Sequence, residues 1–212
     1  MKRSKKVMLA VLVIVQVTVL ERANAAVEYI QDWESGAAGW YSKHGSSDPV
    51  TIIFNSEAPS PTMVQQITRM DSWGNYFSPL IPVTPGETYC IGGCINWVSG
   101  GWPFIGFYQY SSDQEFLSPV WLIGQPGYNT GLGDTVTPVP IVDGWHWYEK
   151  TVTIDEGTAY IRLMNELFNS PSATRGGLPL AYFDDITITP EPASMLLLGA
   201  GGIALLRKRS IK

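Results

Sequence analysis

The chain has 212 residues with 14 Lys/Arg against 19 Asp/Glu, a net charge of −5, two histidines and two cysteines. That length suits one domain with a sizeable core. The acidic balance disfavours a phosphate backbone as partner, and two cysteines without neighbouring histidines exclude the usual zinc patterns.

The N-terminus carries Lys2, Arg3, Lys5 and Lys6, then an apolar run from Val7 to Leu20, then Ala23-Asn24-Ala25. Positive charge, a short apolar helix and a small-x-small site make a secretory signal peptide over residues 1–25. Signal peptidase is expected to cut after Ala25, with Ala26 as the neighbouring alternative. The exported body is then residues 26–189. Setting aside the two ends removes nine of the 14 basic and two of the 19 acidic residues, so the body keeps 5 and 17, net −12. No nucleic acid partner is expected, and such a surface suits divalent cations and neutral glycans.

Between Val27 and Thr189 short alternating or apolar segments are separated by Gly, Pro, Asp and Ser turns, with no helical period. The pattern is all-β. Strands are expected at Thr51–Phe54, Met63–Met70, Thr88–Val98, Phe104–Tyr110, Tyr148–Ile154, Ala159–Asn165 and Leu180–Thr189. Turns fall at Thr84-Pro85-Gly86-Glu87 and Asp155-Glu156-Gly157, and the Gly- and Pro-rich stretch from Ser111 to Gly144 reads as large loops. On a regular strand Cys90 and Cys94 lie about 13 Å apart, so two separate thiols are expected. A fold-back at Gly92-Gly93 would pair them instead.

The C-terminus has three parts: Pro190-Glu191-Pro192, an uncharged apolar run from Ala193 to Leu206, and Arg207-Lys208-Arg209. At ~1.5 Å per residue the run reaches only about 21 Å against a hydrocarbon core of roughly 30 Å. Gly199, Gly201 and Gly202 weaken the helix further. This tripartite order resembles the PEP-CTERM sorting signal, which implies processing by an exosortase and a transient stay of the short helix in the inner membrane. An ordinary C-terminal anchor is the alternative. A plain anchor, however, needs no proline box and about 20 apolar residues.

Within the body, DWESGAAGW (Asp32 to Trp40), VTPGETY (Val83 to Tyr89), DGWHWYEKTVTIDEGTAYIRL (Asp143 to Leu163) and AYFDDITIT (Ala181 to Thr189) stand in the order and spacing of four motifs. They resemble carbohydrate-binding modules of families 4 and 9. The resemblance implies a galactose-binding-like jelly roll, two antiparallel sheets face to face, flanked here by the signal peptide helix and the short C-terminal hydrophobic helix. It also implies a structural Ca²⁺ held by Glu34 and Asp184 where the first and last strands meet. Alternation from Ile186 and Ile188 places Asp184 and Tyr182 inward and Phe183, Asp185 and Thr187 outward. The bland alternative is that Asp184 accepts backbone N–H groups and binds no metal.

Flat indole and phenol faces stack on sugar rings. Trp73, Trp97, Trp102, Trp121, Tyr128 and Trp147 lie in or beside loops and strand ends and are the candidates, with Trp73 and Trp102 first. Core packing is the ordinary role of any one of them. Trp33, Trp40 and Trp145 fall at positions that the family uses structurally. Catalysis has little support: His44 and His146 sit in no nucleophile or metal motif, and Asp155-Glu156 lies in a tight turn. The expected function is non-catalytic binding of an extracellular polysaccharide at the cell envelope or in its matrix. A structural matrix protein without a sugar site is the main alternative, and a small glycan hydrolase or lyase is the lesser one.

Overall fold

The computed structural model describes residues 29–42, 50–59, 63–68, 73–124, 136–168 and 175–191. The signal peptide, Tyr128, Pro192, the C-terminal apolar run and Arg207, Lys208 and Arg209 lie outside them, as does the side chain of Trp73. One compact unit spans Glu28–Thr189. Among the described residues no helix is long and apolar enough to cross a membrane.

The described elements are all strands: β1 (Tyr29–Gln31), β2 (Tyr41–Ser42), β3 (Thr51–Phe54), β4 (Met63–Thr68), β5 (Trp73–Phe77), β6 (Ile81–Pro82), β7 (Thr88–Ser99), β8 (Trp102–Tyr110), β9 (Phe116–Gly124), β10 (Thr137–Pro138), β11 (His146–Thr153), β12 (Tyr160–Phe168) and β13 (Leu180–Pro190). They form two sheets. One has six strands in the order β11-β7-β13-β4-β3 with β1 also on β13, and the other has seven in the order β10-β9-β8-β12-β5-β2 with β6 on β12. This is the jelly-roll sandwich expected of the motifs, with one parallel pairing, β9 with β10, among antiparallel ones.

Alternation builds the core. Ile91, Ile95 and Trp97 of β7 and Ala181, Phe183, Ile186 and Ile188 of β13 meet Ile105 and Phe107 of β8 and Ile161, Leu163 and Leu167 of β12. At ~25 cal/mol per Å² of apolar surface, each of the Ile, Leu and Phe side chains contributes roughly 1.5–3 kcal/mol. One polar bond crosses this interior: Asn165 Nδ2 donates to Gln65 Oε1 at 2.7 Å, and both residues are fully buried. β7 runs unbroken through Gly92-Gly93, so Cys90 and Cys94 are separate thiols on its outer face. A Cβ on Gly93 would meet Ile186 Cδ1 at 2.5 Å, so the glycine lets β7 and β13 lie close. Burial, then the charges of Asp185 and Asp184, push the Cys94 thiol up to about 12, which keeps it protonated at neutral pH.

The Asp32 to Trp40 motif is a knot. Trp33 and Trp40 are both buried with ring centroids 5.1 Å apart, and Trp40 Nε1 donates to Tyr29 Oη at 2.9 Å. Gly36 N donates to Trp33 O at 2.9 Å, and Gln31 Nε2 donates to Gly36 O at 3.0 Å. Gly39 has φ 84°, and a Cβ there would sit 3.1 Å from Pro79 Cγ.

Three expectations change. β9 lies inside the stretch read as loop. Pro119 concealed it, yet β10 pairs only with Ile123 and Gly124, so among the described pairings Pro119 stands where β9 has a neighbour on one side only. β5, sequence WGNYF, is not among the expected strands, yet it pairs with five residues of β12. The third change is the face of β13. Phe183 is fully buried in the core and Tyr182 is half-buried on the outer side against Trp145, the reverse of the expected alternation. Asp185, at φ 50°, is a bulge that shifts the inward register from 181/183 to 186/188.

Candidate functional site on the seven-stranded sheet

The positions of β12 that alternate with its core residues are Arg162, Met164, Glu166 and Phe168, and those of β8 are Trp102, Phe104, Tyr108 and Tyr110. They line the face of the seven-stranded sheet turned away from the core. A second apolar cluster of Phe77, Tyr108 and Met164, with Tyr110 and Trp121 against it, occupies the middle of this face. The Phe77 and Tyr108 rings meet edge-on at 4.7 Å, and Phe116 lies 5.1 Å from Tyr108 and 6.1 Å from Tyr110.

At one end the Arg162 guanidinium sits 5.2 Å from the Tyr41 ring centre and 5.7 Å from that of Tyr110, while one N–H donates to Ser78 O at 2.9 Å. Burial and the neighbouring Tyr41 raise the Tyr110 hydroxyl, and Arg162 opposes them. Tyr41 and Phe116 are 42% and 53% exposed, so stackable rings face solvent.

At the other end lies a polar node. Glu166 is fully buried and accepts the Trp121 Nε1–H at Oε2, 3.1 Å away. Its register neighbours are Asn75 on β5 and Phe104 on β8. Asn75 is 2% exposed, its Nδ2 reaches Met164 Sδ at 3.8 Å, and its Oδ1 has no hydrogen-bond partner among the described residues. Both side chains are covered by their neighbours, so the node holds the Trp121 indole in place on this face. Trp102 pairs with Phe168, their centroids 6.4 Å apart, and is half-buried, touching the main core as well. Glu166 is the only carboxylate on the described strands of this sheet.

The residues expected to bind sugar are divided by the fold. Trp102 and Trp121 are on this face. Trp97 is 2% exposed in the core, its Nε1 donating to Gly100 O at 2.7 Å, so its ring offers no surface to a sugar. Trp147 is 48% exposed on the opposite side of the sandwich. The backbone of Trp73 pairs with Phe168 at the end of β5. Tyr41, Asn75, Phe116, Arg162 and Glu166 were missed. For Arg162 and Glu166 the signal is the outward half of YIRLMNELF, while Tyr41, Asn75 and Phe116 lie on other strands and join them only through the sheet pairings.

Glu34 and Asp184 flank one seam. Glu34 follows β1 and its Oε1 accepts the N–H of Met63, first residue of β4, at 2.6 Å. Asp184 lies where β13 exchanges β4 for β1 as partner, and its Oδ1 accepts Asp185 N at 2.9 Å. Alternation from Phe183 puts Asp184 on the outer register with Tyr182, and it is nonetheless fully buried. Among the described residues no group of three or more His, Cys, Asp or Glu side chains could hold a metal. Of the six to eight oxygens that Ca²⁺ takes, these two carboxylates would supply part, the others coming from backbone carbonyls and water.

β13 ends at Pro190, with Glu191 next to it. Residues 189–210 match the family model of the PEP-CTERM protein-sorting motif. The chain carries a PEP-CTERM sorting signal. That signal marks the protein for export and delivery to the cell envelope or surface. No curated protein matches the chain.

Solved structures share its fold at low identity. The CBM22-1–GH10 modules of Clostridium thermocellum endo-1,4-β-D-xylanase 10B, complexed with xylohexaose, superpose with a TM-score of 0.53 at 15% identity, over 78% of this chain and 29% of that one. The enzymatically active domain of bacteriophage CBA120 tailspike protein 4 gives 0.51 at 9% identity, over 73% and 20%. The chain thus spans less than a third of either. A family 22 xylan-binding domain, at 0.49 and 12% identity, is covered over 93% of its length.

Proposed function

We propose that the exported domain binds a neutral polysaccharide on the outer face of the seven-stranded sheet without cleaving it. The observation that carries this reading is the aromatic face with its solvent-exposed Tyr41 and Phe116 rings beside Arg162 and Tyr110. Exposed rings supply stacking, and the buried Glu166 fixes the Trp121 indole among them. A hydrolytic pair would need a second carboxylate about 5–10 Å from the first. Signal peptidase and an exosortase act during export, and residues 193–206 hold the chain in the inner membrane only in transit. The sugar-binding modules among the structural neighbours agree with this reading at the level of fold.

The test is retention on a panel of immobilised glycans: xylan, β-1,4-galactan and the producing bacterium's own exopolysaccharide. Trp102→Ala, Phe116→Ala and Trp73→Ala are each expected to weaken retention about tenfold or more, the loss of roughly 1.4 kcal/mol typical of a contributing aromatic. Retention of none of the glycans would overturn the reading in favour of a structural matrix protein. Shortened chains in the eluate would favour an enzyme.

A structural calcium at the Glu34–Asp184 seam is a separable part of the proposal, with carbonyls and water completing the shell. At 100 times its Kd, Ca²⁺ should add about 2.7 kcal/mol, or roughly 5–11 °C in Tm, relative to chelator. Glu34→Gln keeps an acceptor for Met63 and should remove the shift. An unchanged Tm with chelator would sink the calcium site and leave the glycan site standing.

A further inference from the structure

The opposite side of the sandwich carries a second aromatic surface. On β11 the residues that alternate with inward Tyr148 and Val152 are Trp147, Glu149 and Thr151. Trp147 is paired with Cys94 of β7, and its Nε1 donates to Glu149 Oε2 at 3.1 Å, which fixes the exposed indole on the sheet. Trp145, immediately before β11, meets Tyr182 of β13 with ring centroids 6.3 Å apart. β7 lies between those strands, so the two rings stand over it, above outward residues that are small or nearly covered: Gly92, Cys94 and Asn96. Tyr182 Oη in turn accepts from Gln66 Nε2 of β4 at 3.5 Å. The outcome is a row of rings, Trp147, Trp145 and Tyr182, bordered by the carboxylate of Glu149 and the amide of Gln66.

We propose that this outer face of the six-stranded sheet is a second glycan platform, so that the domain holds two neutral polysaccharide chains, one on each side. The ligand class rests on the reading of the first face; the platform itself rests on its own residues. Three chemical features favour a neutral glycan over other occupants. No Lys or Arg points outward from β3, β4, β7, β11 or β13, because Lys150, the one cation in these strands, shares the inward register of Tyr148 and Val152. An acidic polymer therefore gains nothing there. The central row is aromatic and polar rather than aliphatic, which suits sugar rings with hydroxyls at their edges. A second copy would bring together two bodies of net −12, each presenting Glu149, which opposes stacking the domain on itself.

Two opposed sites turn a binder into a cross-linker, and linked sites can raise apparent affinity for a polymer by 10²- to 10⁴-fold over either alone. The experiment is isothermal titration of the exported domain with xylohexaose, β-1,4-galactotriose and oligosaccharides from the producer's exopolysaccharide, alongside turbidity of the parent polymers. Wild type should bind two oligosaccharides per protein and cloud the polymer. Trp147→Ala and Phe116→Ala should each reduce this to one and stop the clouding, and the double variant should bind none. Trp147 is exposed and outside the core, so circular dichroism should show its variant folded. One site lost only in Phe116→Ala overturns the second platform and leaves the first face standing. One site lost only in Trp147→Ala overturns the first face and the bivalency together. No binding to any oligosaccharide overturns both.

Discussion

Phe183→Ala is expected to lower the stability of the exported domain by about 3–5 kcal/mol, the range for removing a buried aromatic ring. Tyr182→Ala next to it should cost under about 1.5 kcal/mol, because its ring lies on the outer side against Trp145. The contrast follows from the bulge at Asp185. Phe183 packs with Ala181 and Ile67 in the core cluster, and Tyr182 does not. For a body of this size the first loss corresponds to a fall in Tm of roughly 6–20 °C. Urea unfolding of both variants measures the pair. Equal losses, or a larger one at Tyr182, would mean that β13 keeps one unbroken alternation and that the inward set is the one read from Ile186 and Ile188 alone.

Asn165→Ala is expected to cost about 2–4 kcal/mol. It removes the donor to Gln65 Oε1 from the middle of the sandwich, leaves an unpaired amide where neither residue reaches water, and opens a small cavity. Gln65→Leu combined with Asn165→Leu should recover most of that loss, since replacing both partners by apolar groups of similar shape can be nearly neutral. A double-mutant cycle by denaturant titration reads the coupling directly. If the double variant is as unstable as the sum of the single ones, the bond between the sheets is incidental and the cost is one of packing alone. The pair is also the single polar bridge described between β4 and β12, so its loss tests whether the sheets need a directional contact to keep their register.

Much of the architecture was legible because strand and turn chemistry agree along the chain. Thr51–Phe54 is recovered residue for residue, and the ends of the other expected strands move by one to three positions. What failed had local causes. Pro119 hides a strand because proline normally breaks one, and Gly74-Asn75 hides another because that dipeptide normally turns. Neither exception shows without the neighbour: β8 for the first, β12 for the second. The reversed face of Tyr182 and Phe183 has a different origin. Period 2 is a rule about unbroken strands, and one residue at positive φ cancels it without any change in hydrophobicity.

The candidate sites were less legible. Counting aromatic residues found Trp102, Trp121 and Trp147 but could not say that the last lies on the far side, or that Trp97 is interior. Sidedness depends on which sheet a strand joins, and that is a property of long-range pairing. Glu166 is the clearest case. In sequence it is one acid among 19, flanked by Asn165 and Leu167. Only the pairing of β12 with β8 and β5 surrounds it with Phe104 and Asn75 and gives it an indole donor.

The position of β13 also has a mechanical meaning. Its last residue, Pro190, is the first of the proline box, so tension applied from the C-terminal side enters the domain along this strand. An edge strand under such a load can peel away one hydrogen bond at a time. β13 cannot, because β7 adjoins it on one side while β4 and β1 share the other. A pull must shear both ladders together, and the rate of forced unfolding is then set by the height of that barrier rather than by the equilibrium stability. The strand that leads into the sorting signal is thus among the best placed in the sandwich to bear a tether.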